Sequence, residues 1–170
     1  MQKAIFLDRD GVLNELIYRN NGLFSPRKLS DFKISVDSPE FTRFTNSIGY
    51  LNIVISNQPD ISRGLLKENI LNEMTNLLKS NLSLNDVFYC VHDDQDRCDC
   101  RKPLAGLIFE AVKKWDINIS ESYFIGDSWK DIEAAKNANV SFFLLDRSYN
   151  KSFHCDSRVS GLKDIYKYIR

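Results

Sequence analysis

Asp8 and Asp10 stand one residue apart, with Gly11 directly behind them. Two carboxylates held close repel each other, so such a pair favours a hard divalent cation beside it. A turn beginning at Asp8 would bring both acids to one spot and leave the Asp10 carbonyl available as well. Taken alone, Asp-Gly is equally a turn signal with two solvated acids. Three later stretches change the balance: Ser56-Asn57-Gln58, Arg101-Lys102, and Gly126-Asp127-Ser128 with Asp131 beyond. Each has an ordinary reading: a cap or turn for Ser56-Asn57, a solvated charge for Lys102, a turn and helix cap for Gly126-Asp127. Jointly, a hydroxyl, a lysine and three acids have the composition of a phosphate and cation site.

A second constellation lies between them. Cys90, His92, Cys98 and Cys100 put three thiols and one imidazole in a single loop, 90–100. This is a tetrahedral Cys₃His donor set, with spacing unlike that of a zinc finger. Four protein ligands close the coordination sphere, so a bound Zn²⁺ would be structural. It would also aim Arg101 and Lys102, which follow the last ligand directly. The alternative is a reduced, metal-free cysteine cluster in a flexible loop. Asp93, Asp94, Asp96 and Asp99 read as the solvated face of this loop, and His154 with Cys155 as incidental. With three of four cysteines crowded together, metal is favoured over a disulfide framework.

The elements that must carry these groups alternate along the chain. Short apolar, β-branched or aromatic runs at 4–7, 50–55, 87–90, 123–125 and 141–145 predict buried strands. A helix is expected to open with Ser38 as N-cap and Pro39 at its first position, and to stop at Gly49. Ile70, Leu71, Met74, Leu77 and Leu78 share one face of a helix within 66–82. Leu104, Leu107, Ile108, Ala111, Val112 and Trp115 do the same after Pro103. Further helices are expected at 129–138 and 162–169, and 15–32 reads as a long loop of the kind that is usually functional. Strands alternating with helices predict a three-layer α/β fold with a parallel sheet covered on both faces, in one domain spanning 1–170 with no internal repeat. Ligands in such folds bind beyond the carboxyl ends of the strands, where every candidate residue falls.

The chain has 170 residues, with 23 Lys plus Arg balancing 23 Asp plus Glu. That balance, with no basic run, excludes a nucleic-acid backbone as an expected partner. No apolar stretch reaches membrane-spanning length, and no signal-peptide pattern precedes the first strand. A cytoplasmic monomer acting on a small molecule is expected.

The ordered set DxDGVLN at 8–14, SNQ at 56–58, RKP at 101–103 and GDxxxD at 126–131 resembles the haloacid dehalogenase superfamily of phosphatases. The resemblance runs from the first strand to the fifth. It implies that Asp8 is a nucleophile forming an aspartyl-phosphate and Asp10 the general acid and then base. Ser56 and Lys102 would hold the phosphoryl oxygens. Mg²⁺ would be held by Asp8, the Asp10 carbonyl and Asp127, with Asp131 behind them orienting the metal's waters or Lys102. The CxH…CxCRKP loop is similar to a subgroup without an inserted cap domain, which contains heptose bisphosphate and histidinol-phosphate phosphatases. The stretch from Ser56 to Arg63-Gly64 is closer to the heptose enzymes, and departs from them at Pro59-Asp60 and at Ser128, where a lysine is usual. The substrate expected is a sugar phosphate met by Asn57, Gln58, Arg101 and Ser128, with Arg19, Arg27 and Lys28 as lesser cations. Histidinol phosphate would instead favour carboxylates such as Glu15 or Asp60. A third reading is a non-catalytic, zinc-stabilised binding protein.

Overall fold

The computed structural model describes residues 1–169. Its first strand, β1 (Lys3–Leu7), shows how a continuous apolar run is used. Successive side chains of a strand face opposite sides, so Ala4 and Phe6 enter one core cluster while Ile5 and Leu7 enter the other. Both faces are therefore buried, as expected of a parallel strand between two helical layers.

A two-stranded hairpin follows, β2 (Ile17–Arg19) and β3 (Gly22–Phe24), paired antiparallel. The region 15–32 is thus not simply a loop. Asn20 and Asn21 both take positive φ, +47° and +57°, which is the backbone a two-residue hairpin turn requires. The strands are three residues long and lack polar–apolar alternation, so only their turn was readable in advance. A 3₁₀ turn at Leu29–Asp31 closes the region.

Helix α1 (Ser38–Ser47) begins one residue earlier than expected. Asp37 flanks it without a side-chain cap bond, and Ser38 is the first helical residue, donating from Oγ to the Val12 carbonyl at 3.4 Å. The stop is as expected, with Gly49 at φ +88°. Strand β4 (Tyr50–Asn57), helix α2 (Glu68–Asn81), strand β5 (Asp86–Cys90), helix α3 (Gly106–Trp115), strand β6 (Tyr123–Gly126), helix α4 (Trp129–Ala138) and strand β7 (Ser141–Leu145) complete the alternation. An unexpected two-residue strand, β8 (Arg158–Val159), pairs with the end of β7. The terminal segment is a 3₁₀ helix, Leu162–Lys167, and its buried Leu162 and Ile165 stand three residues apart, the 3₁₀ period.

The six sheet strands are parallel, in the order β5-β4-β1-β6-β7-β8. One face carries Phe41 of α1, Leu71, Met74 and Leu78 of α2, and Ile165. The other carries Leu107, Ile108 and Ala111 of α3 with Ala134, Ala135 and Ala138 of α4. Between β1 and β4 the chain holds only the hairpin, the 3₁₀ turn and α1. The strand order reverses direction between β1 and β6, and the crevice beyond such a switch point is where this class of sheet binds ligands. Among the described residues, no helix is long and apolar enough to cross a membrane.

Candidate active site

Asp8 leaves β1 while its N–H still reaches the Ile125 carbonyl of β6 at 3.0 Å. Asp127 leaves β6 on the other side of the switch point. Asp8, Asp127 and Asp131 each offer an oxygen lying within 4.8 Å of the others. A single ammonium meets them. Lys102 Nζ is 2.8 Å from Asp8 Oδ1, 2.6 Å from Asp131 Oδ1 and 2.9 Å from the Ile55 carbonyl. Three carboxylates against one lysine leave a deficit of positive charge, and Asp8 and Asp127 register it. Burial, then repulsion from Asp131, pushes Asp8 up to about 7 despite Lys102. Burial and the Asp8 and Asp131 charges raise Asp127 well above the carboxylate range. For Lys102, burial works against the charge, and Asp131 and Asp8 outweigh it, so the amine is raised. An all-oxygen donor set short of positive charge fits a hard divalent cation.

Asp10 is handled differently. Its carboxylate does not join that group but takes Arg9 Nη2 at 2.9 Å, Asn14 Nδ2 at 2.9 Å and Gln58 Nε2 at 2.8 Å. Burial opposes ionisation here, but Arg9, Asn14 and Gln58 together hold the carboxyl below its ordinary value. The two acids therefore line one cleft without converging on one point. Arg9 is wholly buried, the largest side chain to be so, with its guanidinium carbon 5.6 Å from the Phe32 ring centroid.

Gln58 donates also to Ser56 Oγ at 3.0 Å and accepts from Arg9 at 3.0 Å, so its amide is used inside the protein. Asn57 grips the backbone of Lys102 from both sides, Nδ2 to its carbonyl at 2.9 Å and Oδ1 from its N–H at 3.0 Å. Neither amide is left over, although Asn57 lines the cleft. Ser128 is the N-cap of α4 in a reciprocal box with Asp131, whose Oδ2 accepts from both the N–H and the hydroxyl of Ser128. Asp131 thus spends one oxygen on Lys102 and the other on the helix start. Arg101 donates to Asp94 at 2.7 Å and to the His92 carbonyl at 3.2 Å.

Cys90 Sγ lies 3.6 Å from Cys98 Sγ, and Cys98 is 3.4 Å from Cys100. His92 Nδ1 stands 3.3 Å from Cys100 and 3.7 Å from Cys90. A tetrahedron with metal–sulfur bonds of about 2.3 Å has edges of about 3.8 Å, so the donor set has nearly the size zinc requires. The thiols differ among themselves. Burial opposes the Cys98 charge, but bonds from Cys100, Cys90 and nearby backbone N–H groups bring it down to about 7, whereas burial raises Cys90 and Cys100. The loop's acids are only partly a solvated face. Asp93 pairs with Arg63 at 2.5 Å, Asp94 with Arg101, and Asp96 caps the Asp93 N–H.

Several contributors were not anticipated. Tyr149 donates its hydroxyl to Asp127 Oδ2, Asn150 holds the Asp127 carbonyl at 2.8 Å, and Arg147 Nη2 holds the Gly11 carbonyl at 2.9 Å. All three belong to the polar run that follows the carboxyl end of β7. The strand-end rule applied to Asp146-Arg147-Ser148-Tyr149-Asn150 would have found them. Gly11 has φ +87°, and a Cβ there would overlap the Asp127 carboxylate and the Tyr149 hydroxyl. Of the lesser cations, Arg27 is taken by Asp60 at 2.5 Å, and Arg63 reaches the other Asp60 oxygen at 3.7 Å.

Asp8, Asp10, Ser56, Asn57, Lys102 and Asp127 all line a cleft of about 900 Å³. The family model for haloacid dehalogenase-like hydrolases matches residues 32–145, a span that does not include Asp8 and Asp10. A Helicobacter pylori D-glycero-beta-D-manno-heptose-1,7-bisphosphate 7-phosphatase is 34% identical over 99% of this chain and 98% of its own. The Campylobacter jejuni D-glycero-alpha-D-manno-heptose-1,7-bisphosphate 7-phosphatase is 29% identical over 99% of this chain and 96% of its own. In structure, the D,D-heptose 1,7-bisphosphate phosphatase of B. bronchiseptica, solved with magnesium and phosphate, superposes with a TM-score of 0.82 at 22% identity. That match covers 98% of this chain and 97% of the other. With this fold, and with a family match over most of its length, the chain belongs to the haloacid dehalogenase-like hydrolases.

Proposed function

We propose that this chain is a magnesium-dependent phosphomonoesterase that removes the 7-phosphate of D-glycero-D-manno-heptose 1,7-bisphosphate. The observation that carries the reaction type is the meeting of Asp8, Lys102 and Asp127 across the switch point, on the floor of an open cleft. The sugar is carried by full-length relatives named for that substrate. One relative is named for the alpha anomer and the other for the beta, so the proposal covers the bisphosphate and not its anomer.

Mg²⁺ would be held by the Asp8 carboxylate, the Asp10 carbonyl and Asp127, and would supply the positive charge this site lacks. The Asp8 carboxylate, its plane held by Lys102 and by the Arg9 N–H at 2.7 Å, attacks phosphorus, and the bond from phosphorus to the sugar oxygen breaks. Asp10 gives its proton to the departing alkoxide. Water then attacks the aspartyl-phosphate while Asp10 takes the water's proton, the phosphorus–Asp8 bond breaks, and phosphate leaves. The grip of Arg9, Asn14 and Gln58 suits Asp10 to the second role. For the first it must be protonated, and a bound substrate that excludes water strengthens the burial that favours protonation. Ser56, accepting from Gln58, keeps its own hydroxyl proton for a phosphoryl oxygen, and Lys102 offsets the charge developing there. Asp131 holds Lys102 in place. A zinc ion in the Cys90, His92, Cys98 and Cys100 set would fix the loop that delivers Arg101 and Lys102.

Histidinol phosphate is the poorer substrate on this reading. Of the two carboxylates expected to receive its amine, Glu15 and Asp60, neither lines the cleft, and Asp60 is neutralised by Arg27 and Arg63. Phosphate release from heptose 1,7-bisphosphate and from histidinol phosphate, each with Mg²⁺ and with EDTA, is the test. A bisphosphate rate abolished by EDTA and by Asp8→Asn is expected. A preference for histidinol phosphate would overturn the substrate, and full activity of Asp8→Asn would overturn the mechanism.

A further inference from the structure

The floor and the rim of the cleft carry opposite imbalances of charge. On the floor, carboxylates outnumber the single ammonium. At the rim, Arg63, Arg101 and Lys130 line the cleft, and beyond Asp8, Asp10 and Asp127 the acid that lines it is Asp94. Arg101 is committed to Asp94 at 2.7 Å. Arg63 is committed to Asp93 through two bonds, of 2.7 and 2.5 Å. Lys130 has no carboxylate at ion-pair distance among the described residues, and its ammonium lies 5.7 Å from the centroid of the adjacent Trp129 ring. Arg63 also reaches Asp60 at 3.7 Å, an acid already held by Arg27 at 2.5 Å. Arg27, Arg63, Arg101 and Lys130 thus face Asp60, Asp93 and Asp94, and Lys130 is the cation left without an ion pair. Burial, and then repulsion from Arg101, make the charge on Lys130 harder to hold than that of a free amine, and the pull of Asp94 does not compensate.

Like charges gathered without enough counter-charge cost free energy unless an anion completes them. Lys130 shares the first turn of α4 with Asp131, whose carboxylate faces the floor and Lys102. One helical turn therefore supplies both the anchor for the floor lysine and a cation for the rim. Asp8, Lys102, Arg63, Arg101 and Lys130 line one cleft, so a substrate whose reacting phosphate sits at Asp8 and Lys102 has these cations within the same space for a second phosphate.

We propose that Lys130 is a specificity-determining residue that binds the second, non-reacting phosphate of a sugar bisphosphate, between Arg101 and Arg63. This rests on the phosphatase reading above and deepens it. Lys130 touches no reacting atom, so its contribution is to binding a bisphosphate in preference to a monophosphate.

The test compares kcat/KM for heptose 1,7-bisphosphate with that for heptose 7-phosphate, which share the reacting phosphate and differ in the distal one. It is run on the wild type, Lys130→Gln and Lys130→Arg. The wild type is expected to prefer the bisphosphate, and Lys130→Gln to lose about tenfold or more of that preference, mainly through KM. Lys130→Arg should keep most of it. A wild-type preference that survives in Lys130→Gln would overturn the inference, as would equal losses on both substrates, the mark of a merely structural role. A wild type without the preference would defeat the substrate assignment itself, and that failure appears before any variant is measured.

Discussion

Lys102 Nζ and Asp131 Oδ1 lie 2.6 Å apart with both side chains almost wholly out of water. Asp131 is not a spare acid near the proposed metal site. Its other oxygen accepts from the Ser128 N–H and hydroxyl, so each oxygen faces donors. An asparagine can satisfy only one side, since its amide nitrogen would confront either an ammonium or an N–H. Asp131→Asn and Asp131→Ala are both expected to cost about 3 kcal/mol or more, the scale for breaking a buried charge pair. Urea unfolding measures this, and wild-type stability in Asp131→Asn would remove Asp131 as the anchor of Lys102.

The proposed zinc centre joins stability to catalysis. Lys102 follows Cys100 by two residues, and Asn57 clamps its backbone from β4. Cys98→Ser should lower the bound zinc well below about one ion per chain. It should also lower the melting temperature and reduce kcat, because the chain delivering Lys102 loses its fixed end. Metal analysis, a melting curve and turnover are read on the same sample. Normal zinc content in Cys98→Ser would dismiss the assigned ligand set.

Asp86 offers a pH test away from every proposed metal ligand. It begins β5 and receives Lys114 at 2.7 Å and the Trp115 indole N–H at 2.8 Å, tying α3 to the strand that ends in Cys90. Burial opposes its charge, but Lys114 and Trp115 outweigh burial, so its folded value lies below 3.8. A depressed carboxylate contributes stability in full above its unfolded value, and loses it as pH falls through the folded one. Asp86→Asn should therefore be less stable than the wild type at neutral pH, with the gap closing as pH falls below 3.8. A gap independent of pH would show that the hydrogen bonds, and not the charge, matter.

The parts of this molecule written in local residue order could be read from the sequence. The five main strands, the buried faces of α2 and α3, and the gathering of Asp8, Lys102 and Asp127 at one crevice followed from periodicity and the strand-end rule. The hairpin at 17–24 did not, because three-residue strands carry too short a pattern for alternation to register. Ser38 looked like a cap by type, yet its hydroxyl went to Val12 and the cap position fell on Asp37. Gln58 and Asn57 looked like substrate ligands because they follow a strand, but partners distant in sequence consume their amides. Which of two polar ends meets a ligand and which meets the protein is set by long-range packing, and spacing along the chain does not encode it.

Tyr149 is expected to govern how firmly Asp127 holds a cation. Its hydroxyl donates to Asp127 Oδ2, and Asn150 fixes the same residue's carbonyl. Groups bonded to a ligand in this way orient it, and their loss commonly lowers metal affinity by about tenfold or more. Tyr149→Phe keeps the ring and removes only the donor. Calorimetric titration with Mg²⁺, or with Mn²⁺ followed by spin resonance, should give affinity about tenfold weaker. Unchanged affinity would make Tyr149 a wall of the cleft and nothing more.

Gly11 tests the convergence of three loops at once. Its backbone at φ +87° lies in the left-handed region, which costs a residue with a Cβ about 1 kcal/mol. The steric term is the larger one here, since the added carbon would overlap both Asp127 and Tyr149. Arg147 holds the Gly11 carbonyl through two bonds, at 2.9 and 3.1 Å, so the loop cannot retreat without breaking them. Asp127 must move instead, out of its present place beside Asp8. Gly11→Ala is therefore expected to lose most divalent-ion affinity and turnover while losing only a modest part of its stability, as read by titration, phosphate release and a melting curve. Strain alone would lower the melting temperature and spare the metal affinity, so an alanine variant that binds Mg²⁺ normally would refute the packing of Gly11 against Asp127 as the reason a glycine is needed.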